Sequence, residues 1–372
     1  MLEKTISLRS EGTNDIVEIK YKSILITARL ISIEELSSPL IQYKDITEKE
    51  AISMIVPTHQ DILDAARRIK GKILRTPFIF SDPLSRQVNI RVYLKLESLQ
   101  PGGSFKFRGA NNAVAMLTPK EREKGVVAAS SGNHGIALAL AASLVGIKAT
   151  IVLPDNAPQV KVERIKKAGA TILRHGSHYG YSEEKAAELG KEELVLIHPF
   201  DDPRVVAGQG TIGLEIDEDA PSDLEAVLVP VGGGGLISGI ALGLKYTRPQ
   251  VEVIGVESYA APTLTEALKA KKPVPIMPLP TCADSLSPRY TGDISFEVAT
   301  DRIRQVNLLT EEELIEGVRY CLEELHLVVE PAGAAGISAL LAGKVRIKSG
   351  PVCVVVSGSN LDKKYFKEAL GL

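Results

Sequence analysis

The amino-acid sequence predicts an α/β fold with helices on both faces of parallel sheets. The first observation is that short runs of β-forming residues alternate with helical stretches along most of the chain. The second is that these runs are apolar at nearly every position, as expected for strands that are buried on both faces. The third is length: 372 residues suffice for a large core, arranged as two modest domains or as one large body with an inserted lobe.

Composition and charge narrow the class of protein. Hydrophobic residues make up 44% of the chain and charged residues 24%, which is ordinary for a globular protein and unlike a disordered one. The 44 basic and 46 acidic residues are interspersed and give a formal charge of -2. The sequence therefore shows no cluster of basic residues of the kind that binds nucleic acid or an anionic membrane. The expected partner is a small molecule.

Targeting signals and cysteine usage indicate a cytoplasmic protein. Residues 1–20 are charged throughout and lack the order of a secretory signal. The apolar run at 23–32 is interrupted by Arg29 and is shorter than the ~20 residues that span a bilayer, so we interpret it as a strand or a short buried segment. Three widely spaced cysteines form neither a metal-like pair nor a disulfide framework and are expected to be reduced packing residues: Cys282, Cys321 and Cys353.

Residues 1–53 are predicted to be an accessory extension of uncertain structure. They contain no glycine-rich loop and precede Met54, after which the pattern becomes regular. A helix is expected from Thr58, with Asp61 completing its cap and Gly71 ending it. The buried face of this helix is predicted from three residues: Ile62, Ala66 and Ile69. We therefore expect the chemistry to reside in the chain from Met54 onward.

The strands that follow are predicted from eight apolar runs separated by amphipathic helical stretches. No internal repeat, low-complexity tract or flexible linker interrupts them. The proline-rich stretch at 271–280 predicts a loop near a pocket or an edge. The runs begin as follows: RVYLKLE at 91, VVAAS at 126, ATIVLP at 149, ATIL at 170, LVLIHP at 194, AVLVPV at 226, VEVIGVE at 251 and VCVVVS at 352.

A glycine loop follows one of these strands and precedes a helix, in the stretch AVLVPVGGGGLISGIALG. In open parallel sheets, ligands bind where strands end and helices begin. Consecutive glycines leave their amides uncovered at the positive end of the helix, which suits a phosphate. A tight turn is the simpler explanation, but a turn rarely needs four glycines. The loop fits neither the spaced dinucleotide pattern nor the nucleoside-triphosphate pattern with its lysine.

A second loop, in AASSGNHGIALALAAS, places Ser130, Ser131, Gly132, Asn133 and His134 between a strand and a helix. A carboxylate can bind at a helix N-terminus that offers hydroxyls, an amide and exposed backbone N–H groups. A simple cap would need only one serine. His134 alone proves little, because a histidine at a helix start is often only a structural donor.

A third loop, LQPGGSFKFRGA, holds Lys106 between Phe105 and Phe107. A lysine held by apolar neighbours can have a depressed pKa, and its neutral amine is the form that makes a Schiff base. Most lysines are solvated surface charges, so this interpretation depends on the other two loops.

Taken together, seven motifs resemble the threonine dehydratase and serine racemase group of fold-type II, tryptophan synthase β-like pyridoxal-phosphate enzymes. They occur in the family's order from about residue 55 onward: GGSFKFRGA, SSGNHG, HPFDDP, AGQGTIGLE, VGGGGLISG, VEPAGAAG and VVVSGSN. The resemblance implies two open, twisted, mainly parallel sheets covered by helices. It also implies a small domain at 125–201 inserted in a large pyridoxal-phosphate-binding domain, which comprises 54–124 and 202–372.

The resemblance also implies a role for each loop. Lys106 would form the Schiff base with pyridoxal 5'-phosphate, Phe105 would pack on the cofactor ring, and Ser357 would lie against the ring nitrogen. Asn133 would bond the phenolic oxygen, and Ser131 would give or take a proton on the face opposite the lysine. The phosphate would be held by Gly232, Gly233, Gly234 and Gly235. The substrate carboxylate would be surrounded by Ser130, Ser131, Asn133 and His134.

The chain departs from the family pattern in the loop that lines the substrate pocket. Relatives commonly have alanine, aspartate and glycine where this sequence has Ala283, Asp284 and Ser285, so the choice of substrate stays open. Glu330, in VEPAGA, is either a further site residue or a structural acid that bonds loop amides. Because the chain stops at Leu372, we expect no C-terminal regulatory domain.

No metal site is expected. Relatives with racemase activity often bind a divalent cation through a glutamate and a downstream aspartate, whereas here Glu257 is followed by Thr263. His175 and His178 have a spacing that could ligate a metal, but no third ligand is evident, so they are expected to be surface histidines.

The resemblance predicts a lyase of amino acid metabolism that converts L-threonine to 2-oxobutyrate and ammonia, and L-serine to pyruvate and ammonia. Two alternatives stay open: an amino acid (serine) racemase of the same family, and a noncatalytic pyridoxal-phosphate-binding protein. Threonine synthase is disfavoured, because an aspartate usually follows its lysine where Phe107 stands here. We expect a homodimer or homotetramer.

Overall fold

The computed structural model describes residues 5–11, 14–21, 24–29, 56–348 and 350–372. Met54, where the sequence analysis starts the regular part of the chain, lies outside them. The strands in chain order are β1 (Thr5–Glu11), β2 (Asn14–Tyr21), β3 (Ile24–Arg29), β4 (Phe78–Phe80), β5 (Val92–Lys95), β6 (Val126–Ala129), β7 (Ala149–Leu153), β8 (Thr171–Arg174), β9 (Val195–Leu196), β10 (Ala226–Pro230), β11 (Glu252–Ser258), β12 (Ile303–Leu309) and β13 (Val352–Val355).

The helices lie between these strands. In chain order they are α1 (His59–Ile69), α2 (Asp82–Val88), α3 (Lys106–Ala115), α4 (Pro119–Lys124), α5 (Asn133–Ser143), α6 (Gln159–Lys167), α7 (Tyr179–Glu192), α8 (Pro203–Asp219), α9 (Gly235–Leu244), α10 (Thr263–Ala270), α11 (Asp293–Arg302), α12 (Glu311–Glu323), α13 (Pro331–Leu341) and α14 (Lys363–Ala369). Short 3₁₀ turns occur at Glu97–Leu99, Pro101–Gly103 and Asp284–Leu286.

The larger sheet has the strand order β12-β11-β10-β13-β5-β4. Its neighbouring strands are parallel except β4 and β5, which are antiparallel. The central strands β10 and β13 are buried at every position, which explains why their sequences are continuously apolar rather than alternating. The sequence analysis did not predict β4 or β12.

The smaller sheet has the order β8-β7-β6-β9 and is entirely parallel. Its strands occupy residues 126–196, so they are inserted in sequence between β5 and β10 of the larger sheet. The two sheets confirm the predicted α/β architecture with mainly parallel strands. A third sheet, of the antiparallel strands β1, β2 and β3, was predicted only as a possible strand within 23–32.

Helix α1 follows its local sequence signals closely. Thr58 is the N-cap: its side chain accepts from the backbone N–H of Asp61, whose carboxylate accepts from the N–H of Thr58. The prediction of Ala66 on the buried face was wrong by one position. Ala65 completes the 3.6-residue stripe, three residues after one buried isoleucine and four before the next. The buried residues are Ile62, Ala65 and Ile69.

A buried network of four charged side chains joins α3 to β5 and α8. Arg108 of α3 is fully buried and donates to both carboxylate oxygens of Glu97 at 2.8 Å and to both of Glu215 at 2.7 Å. Lys95 donates to Glu215 at 2.6 Å. The two positive and two negative charges balance, as buried charges require. Because Arg108 lies two residues after Lys106, the network fixes the start of α3.

Two further expectations concern the whole chain. The three cysteines are free and buried, which fits their predicted role in packing. Within the described ranges, no helix is both long and apolar enough to cross a membrane.

Candidate active site

One cavity of about 330 Å³ brings together the three loops that the sequence analysis singled out. Its walls come from the loop after β6, the glycine loop after β10, the start of α3 and the end of β13. The 3₁₀ turn at Asp284–Leu286 and Glu330 also line it. Every predicted site residue contributes to the wall: Phe105, Lys106, Ser130, Ser131, Asn133, His134, Gly232, Gly233, Gly234, Gly235 and Ser357.

Lys106 is the first residue of α3 and presents its amine to this cavity. The Nζ atom donates to the backbone carbonyl of Pro199 at 2.7 Å and lies 5.2 Å from the ring centroid of Phe105. Loss of surrounding water lowers the pKa of the Lys106 amine to about 8. Phe107 points away into the core and is 2% exposed. A substantial fraction of this amine is therefore neutral in mildly alkaline solution.

The glycine loop lies at the N-terminus of α9, with its amides at the positive end of that helix. Gly234 has φ +92°, a conformation that favours glycine. A Cβ atom on Gly233 would lie 2.3 Å from the ring of Phe200, and one on Gly235 would lie 2.9 Å from the Phe200 carbonyl oxygen. Packing against Phe200 thus keeps side chains off the loop and leaves its amides open to an anion.

The loop between β6 and α5 supplies hydroxyls to the cavity. Ser130 and Ser131 are half-buried, and the Ser130 hydroxyl accepts from the backbone N–H of Gly132 at 3.3 Å. Helix α5 begins at Asn133, so the positive end of the helix faces the same space. This arrangement suits a small carboxylate.

His134 is buried behind the loop and acts as a structural donor. Its Nε2 atom lies 3.0 Å from the carbonyl oxygen of Ile197, which can only accept, so the proton resides on Nε2. Burial, together with the positive charge of Lys106, lowers the pKa of His134 to about 3. The ring is therefore neutral at physiological pH.

Asn133 is held at both ends of its amide. Its Nδ2 donates to Glu330 Oε1 at 2.6 Å, and its Oδ1 accepts from Asn360 Nδ2 at 2.7 Å. Glu330 is 5% exposed, and burial together with the charge of Asp284 raises its pKa to about 7. Glu330 is therefore a cavity residue that orients Asn133. The sequence analysis did not find Asn360, although it lies in the motif VVVSGSN.

The loop that departs from the family pattern does line the cavity. The Ser285 hydroxyl lies 3.4 Å from Asn133 Nδ2, and Asp284 pairs with Lys161 of α6. Both residues are therefore part of the cavity wall.

Glu257 is fully buried near the glycine loop. Its carboxylate accepts from the Leu264 N–H at 2.7 Å and from the hydroxyls of Thr265 at 2.7 Å and Thr263 at 3.3 Å. The Thr263 hydroxyl also contacts the carbonyl oxygen of Gly232 at 2.9 Å.

Elsewhere, the ring of His178 stacks on Tyr181. The part of the chain that the structure describes contains no group of three or more His, Cys, Asp or Glu side chains arranged to hold a metal.

The residues present fit pyridoxal phosphate. An amine of lowered pKa meets the need for a Schiff-base partner, and the open amides of the glycine loop meet the need for a phosphate site. The ring of Phe105 and the hydroxyl-bearing Ser357 line the space between them. The cavity therefore has donors for each end of the cofactor.

Comparison with known proteins agrees with this geometry. The family model described as "Pyridoxal-phosphate dependent enzyme" matches residues 69–358. An L-threonine ammonia-lyase of Thermotoga maritima is 42% identical over 306 residues, which cover 82% of this chain and 76% of that protein. The structure of maize serine racemase has a TM-score of 0.78 and 34% identity and covers 85% of this chain and 97% of that one. The processed form of threonine deaminase isoform 2 from Solanum lycopersicum has a TM-score of 0.79 and 31% identity and covers 87% and 89%.

These similarities confirm the predicted fold-type II architecture and the predicted cofactor. The matched residues include all three loops of the cavity and the end of β13. The chain therefore belongs to the family of pyridoxal-phosphate-dependent enzymes.

Proposed function

We propose that the chain is a threonine and serine ammonia-lyase, which converts L-threonine to 2-oxobutyrate and ammonia, and L-serine to pyruvate and ammonia. The observation that carries the proposal is a single cavity that holds a lysine of lowered pKa, a glycine loop and a serine-rich helix N-terminus. The 42% sequence identity to an L-threonine ammonia-lyase supports the same reaction.

The proposed roles divide the cavity into two halves. Lys106, Phe105, Ser357 and the loop Gly232–Gly235 would hold the cofactor. Asn133 would bond both the cofactor and the substrate. Ser130, Ser131 and the backbone N–H groups at the start of α5 would bind the substrate carboxylate. Because the ring of His134 is bonded to Ile197, its part in carboxylate binding would come from its backbone N–H.

Pyridoxal phosphate, when bound, supplies the electron-withdrawing ring that makes the α-proton of an amino acid acidic. The neutral amine of Lys106 would take that proton. The β-hydroxyl would leave as water, with a proton supplied by Ser131 or from the phosphate side of the cavity. The remaining enamine takes up water on release and yields the 2-oxo acid and ammonia. The walls of the cavity would orient these groups and shield them from bulk water.

An assay of 2-oxo acid formed from a panel of L- and D-hydroxy amino acids tests this function. We expect product from L-threonine and L-serine and much less from the D-isomers. Serine racemisation without 2-oxo acid would favour the second function, which the similarity to maize serine racemase supports. A cofactor absorbance band with no turnover of any substrate would favour a binding protein.

Replacement of Ser131 by alanine separates elimination from racemisation. Only racemisation must deliver a proton to the face opposite Lys106. We therefore expect Ser131→Ala to lower serine racemisation by about 10²-fold and elimination from L-threonine by less than about tenfold. Both rates are measured on one preparation, by chiral chromatography and by 2-oxo acid. Equal losses would remove the special role of this hydroxyl.

Covalent uptake of the cofactor by Lys106 should depend on pH. Only the neutral amine attacks an aldehyde, and the pKa of Lys106 is lowered from 10.5 to about 8. After removal of the cofactor, the rate of uptake should rise as pH increases through about 8 and level off above it. Stopped-flow absorbance across neutral and alkaline pH measures this rate. A midpoint near 10.5 would show that the cavity leaves this amine unperturbed.

We propose that residues 125–201 form a small domain inserted in a large domain of 54–124 and 202–372, and that substrate draws the two together. In support, Ser130–Gly132 follow β6 of the smaller sheet, whereas Lys106 and the glycine loop adjoin the larger one. A substrate carboxylate would bridge them. Structures with and without a nonreactive substrate analogue test this motion. Identical domain angles in both would contradict it.

We also propose that the enzyme acts in the cytoplasm as a homodimer or homotetramer. The buried, free cysteines are consistent with a reducing compartment. The edge strand β4 exposes Ile79 and Phe80, which would contribute to an interface between copies. Sedimentation of the purified protein measures the assembly, and a monomer at micromolar concentration would contradict the proposal.

A further inference from the structure

The segment from Ile197 to Asp201, between β9 and α8, contacts the amine of the site lysine through its backbone. The carbonyl of Pro199 accepts the hydrogen bond from Lys106 Nζ at 2.7 Å. The carbonyl of Ile197 accepts from His134 at 3.0 Å. The sequence analysis used this stretch only as part of the motif HPFDDP and assigned no role to it.

The Pro199 carbonyl matters because a neutral amine acts as a base along one direction only. Its nitrogen carries two N–H groups and one lone pair in a tetrahedral arrangement. When one N–H is bonded to a fixed acceptor, the lone pair is limited to the directions that remain, and here those include the cavity. The placement of the Pro199 carbonyl therefore restricts where Lys106 can accept a proton.

Two contacts hold this segment to the side of the larger sheet. The ring of Phe200 occupies the space above Gly233 that a side chain would need. The carboxylate of Asp201 accepts from the backbone N–H of Ile294 at 3.1 Å. These contacts hold Phe200 and Asp201, which follow Pro199. His198, which precedes it, is held by side-chain hydrogen bonds.

His198 is held by a directional chain of hydrogen bonds. Its Nδ1 accepts from the backbone N–H of Asp201 at 2.9 Å, so the neutral ring carries its proton on Nε2. Nε2 lies 3.2 Å from the hydroxyl of Tyr290, and that hydroxyl donates to Glu183 Oε1 at 2.8 Å. The series of hydrogen bonds therefore runs from His198 through Tyr290 to the carboxylate of Glu183.

This series of hydrogen bonds ends at the carboxylate of Glu183, on the helix that covers the smaller sheet. Glu183 belongs to α7, which contacts β6 and β7. Burial opposes ionisation of Glu183, but the contacts from His198 and Tyr290 outweigh it and lower the pKa of this carboxyl. An ionised Glu183 is the stronger acceptor for the Tyr290 hydroxyl.

We propose that Tyr290 is a positioning residue for Lys106: its hydroxyl links His198 to Glu183 and so fixes the Pro199 carbonyl that orients the lysine amine. The link connects α7, beside the smaller sheet, with the amine at the start of α3. The inference rests on the role of Lys106 under the proposed function.

Replacement of Tyr290 by phenylalanine removes the hydroxyl and keeps the ring, which packs 5.5 Å from the ring of Phe200. We expect the rate of covalent cofactor uptake and the kcat for L-threonine to fall on the order of tenfold, with KM and the melting temperature nearly unchanged. The matched control is Tyr181→Phe, on the exposed face of α7, which should match the unmodified enzyme. A changed KM or melting temperature with unchanged uptake and kcat would show that Tyr290 only holds the structure together.

A second pair of variants tests the far end of the link. Glu183→Gln keeps an oxygen that can accept from Tyr290, so it should keep most of the cofactor uptake rate of the unmodified enzyme. Glu183→Ala should lower this rate as much as Tyr290→Phe does. Equal uptake in Glu183→Ala and the unmodified enzyme would overturn the inference. If the unmodified enzyme itself binds the cofactor at another lysine, the proposed function fails instead, so the two failures are distinguishable.

Discussion

Lys106→Ala should abolish both the visible absorbance of the bound cofactor and turnover of L-threonine. Within the described residues, the wall of the cavity includes one lysine, so no other amine is placed to bind the cofactor covalently or to take the α-proton. We expect kcat to fall by at least about 10³-fold, because a nucleophile and a base are lost together. Absorbance spectra and the 2-oxo acid assay measure the two losses.

The control for this variant is Lys269→Ala, which removes an exposed lysine paired with Glu266 on α10. It should keep the absorbance band and the activity. Reduction with borohydride followed by peptide mapping gives the decisive test. A reduced cofactor attached to any lysine other than Lys106 would overturn the assignment of the site.

Arg108→Met should cost more stability than any other change considered for this protein. The substitution leaves Lys95, which pairs with Glu215, as the remaining positive charge of this network, so the buried carboxylate of Glu97 loses its charged partner. Breaking a buried ion pair in this way lowers the free energy of unfolding by about 3–5 kcal/mol. Urea denaturation followed by circular dichroism measures the change.

Arg75→Met is the matched control, because Arg75 also bridges two carboxylates but lies at the surface. It pairs with Glu218 and Asp219, and its side chain is 51% exposed. Solvent screens such pairs, so the loss should be about 1 kcal/mol or less. Similar losses for the two variants would show that burial of the Arg108 network adds nothing to its strength.

The three ligand loops could be predicted from sequence because each contains unusual residues directly after an apolar strand. Four consecutive glycines and a serine-rich helix start each point to chemistry without knowledge of the fold. Together they favour a chemical role for the lysine between two phenylalanines. The prediction that Lys106 can have a lowered pKa rested on its apolar neighbours. The structure shows that Phe107 points away and that burial of the amine itself lowers this pKa.

Other parts of the site could not be predicted in this way. The contact of Pro199 with Lys106 is made by a backbone carbonyl, which every residue type carries, so its identity gives no signal. Tyr290 and Glu183 meet only through tertiary packing, 107 positions apart in sequence. Strand β4 has only three residues, too few to form a recognisable apolar run. Strand β12 contains Arg304, Gln305 and Asn307 and so lacks the continuous apolar pattern that marks the buried strands.

Strand β13 lies at the centre of the larger sheet, between β10 and β5, although it comes after all the other strands in the sequence. During synthesis on a ribosome, β5 and β10 therefore remain without their shared neighbour until residues 352–355 have been made. The smaller sheet has no such dependence, because its strands are close together in sequence, and it can form first. Ser357 follows β13 directly, so the cofactor cavity is completed only in the last stage of folding.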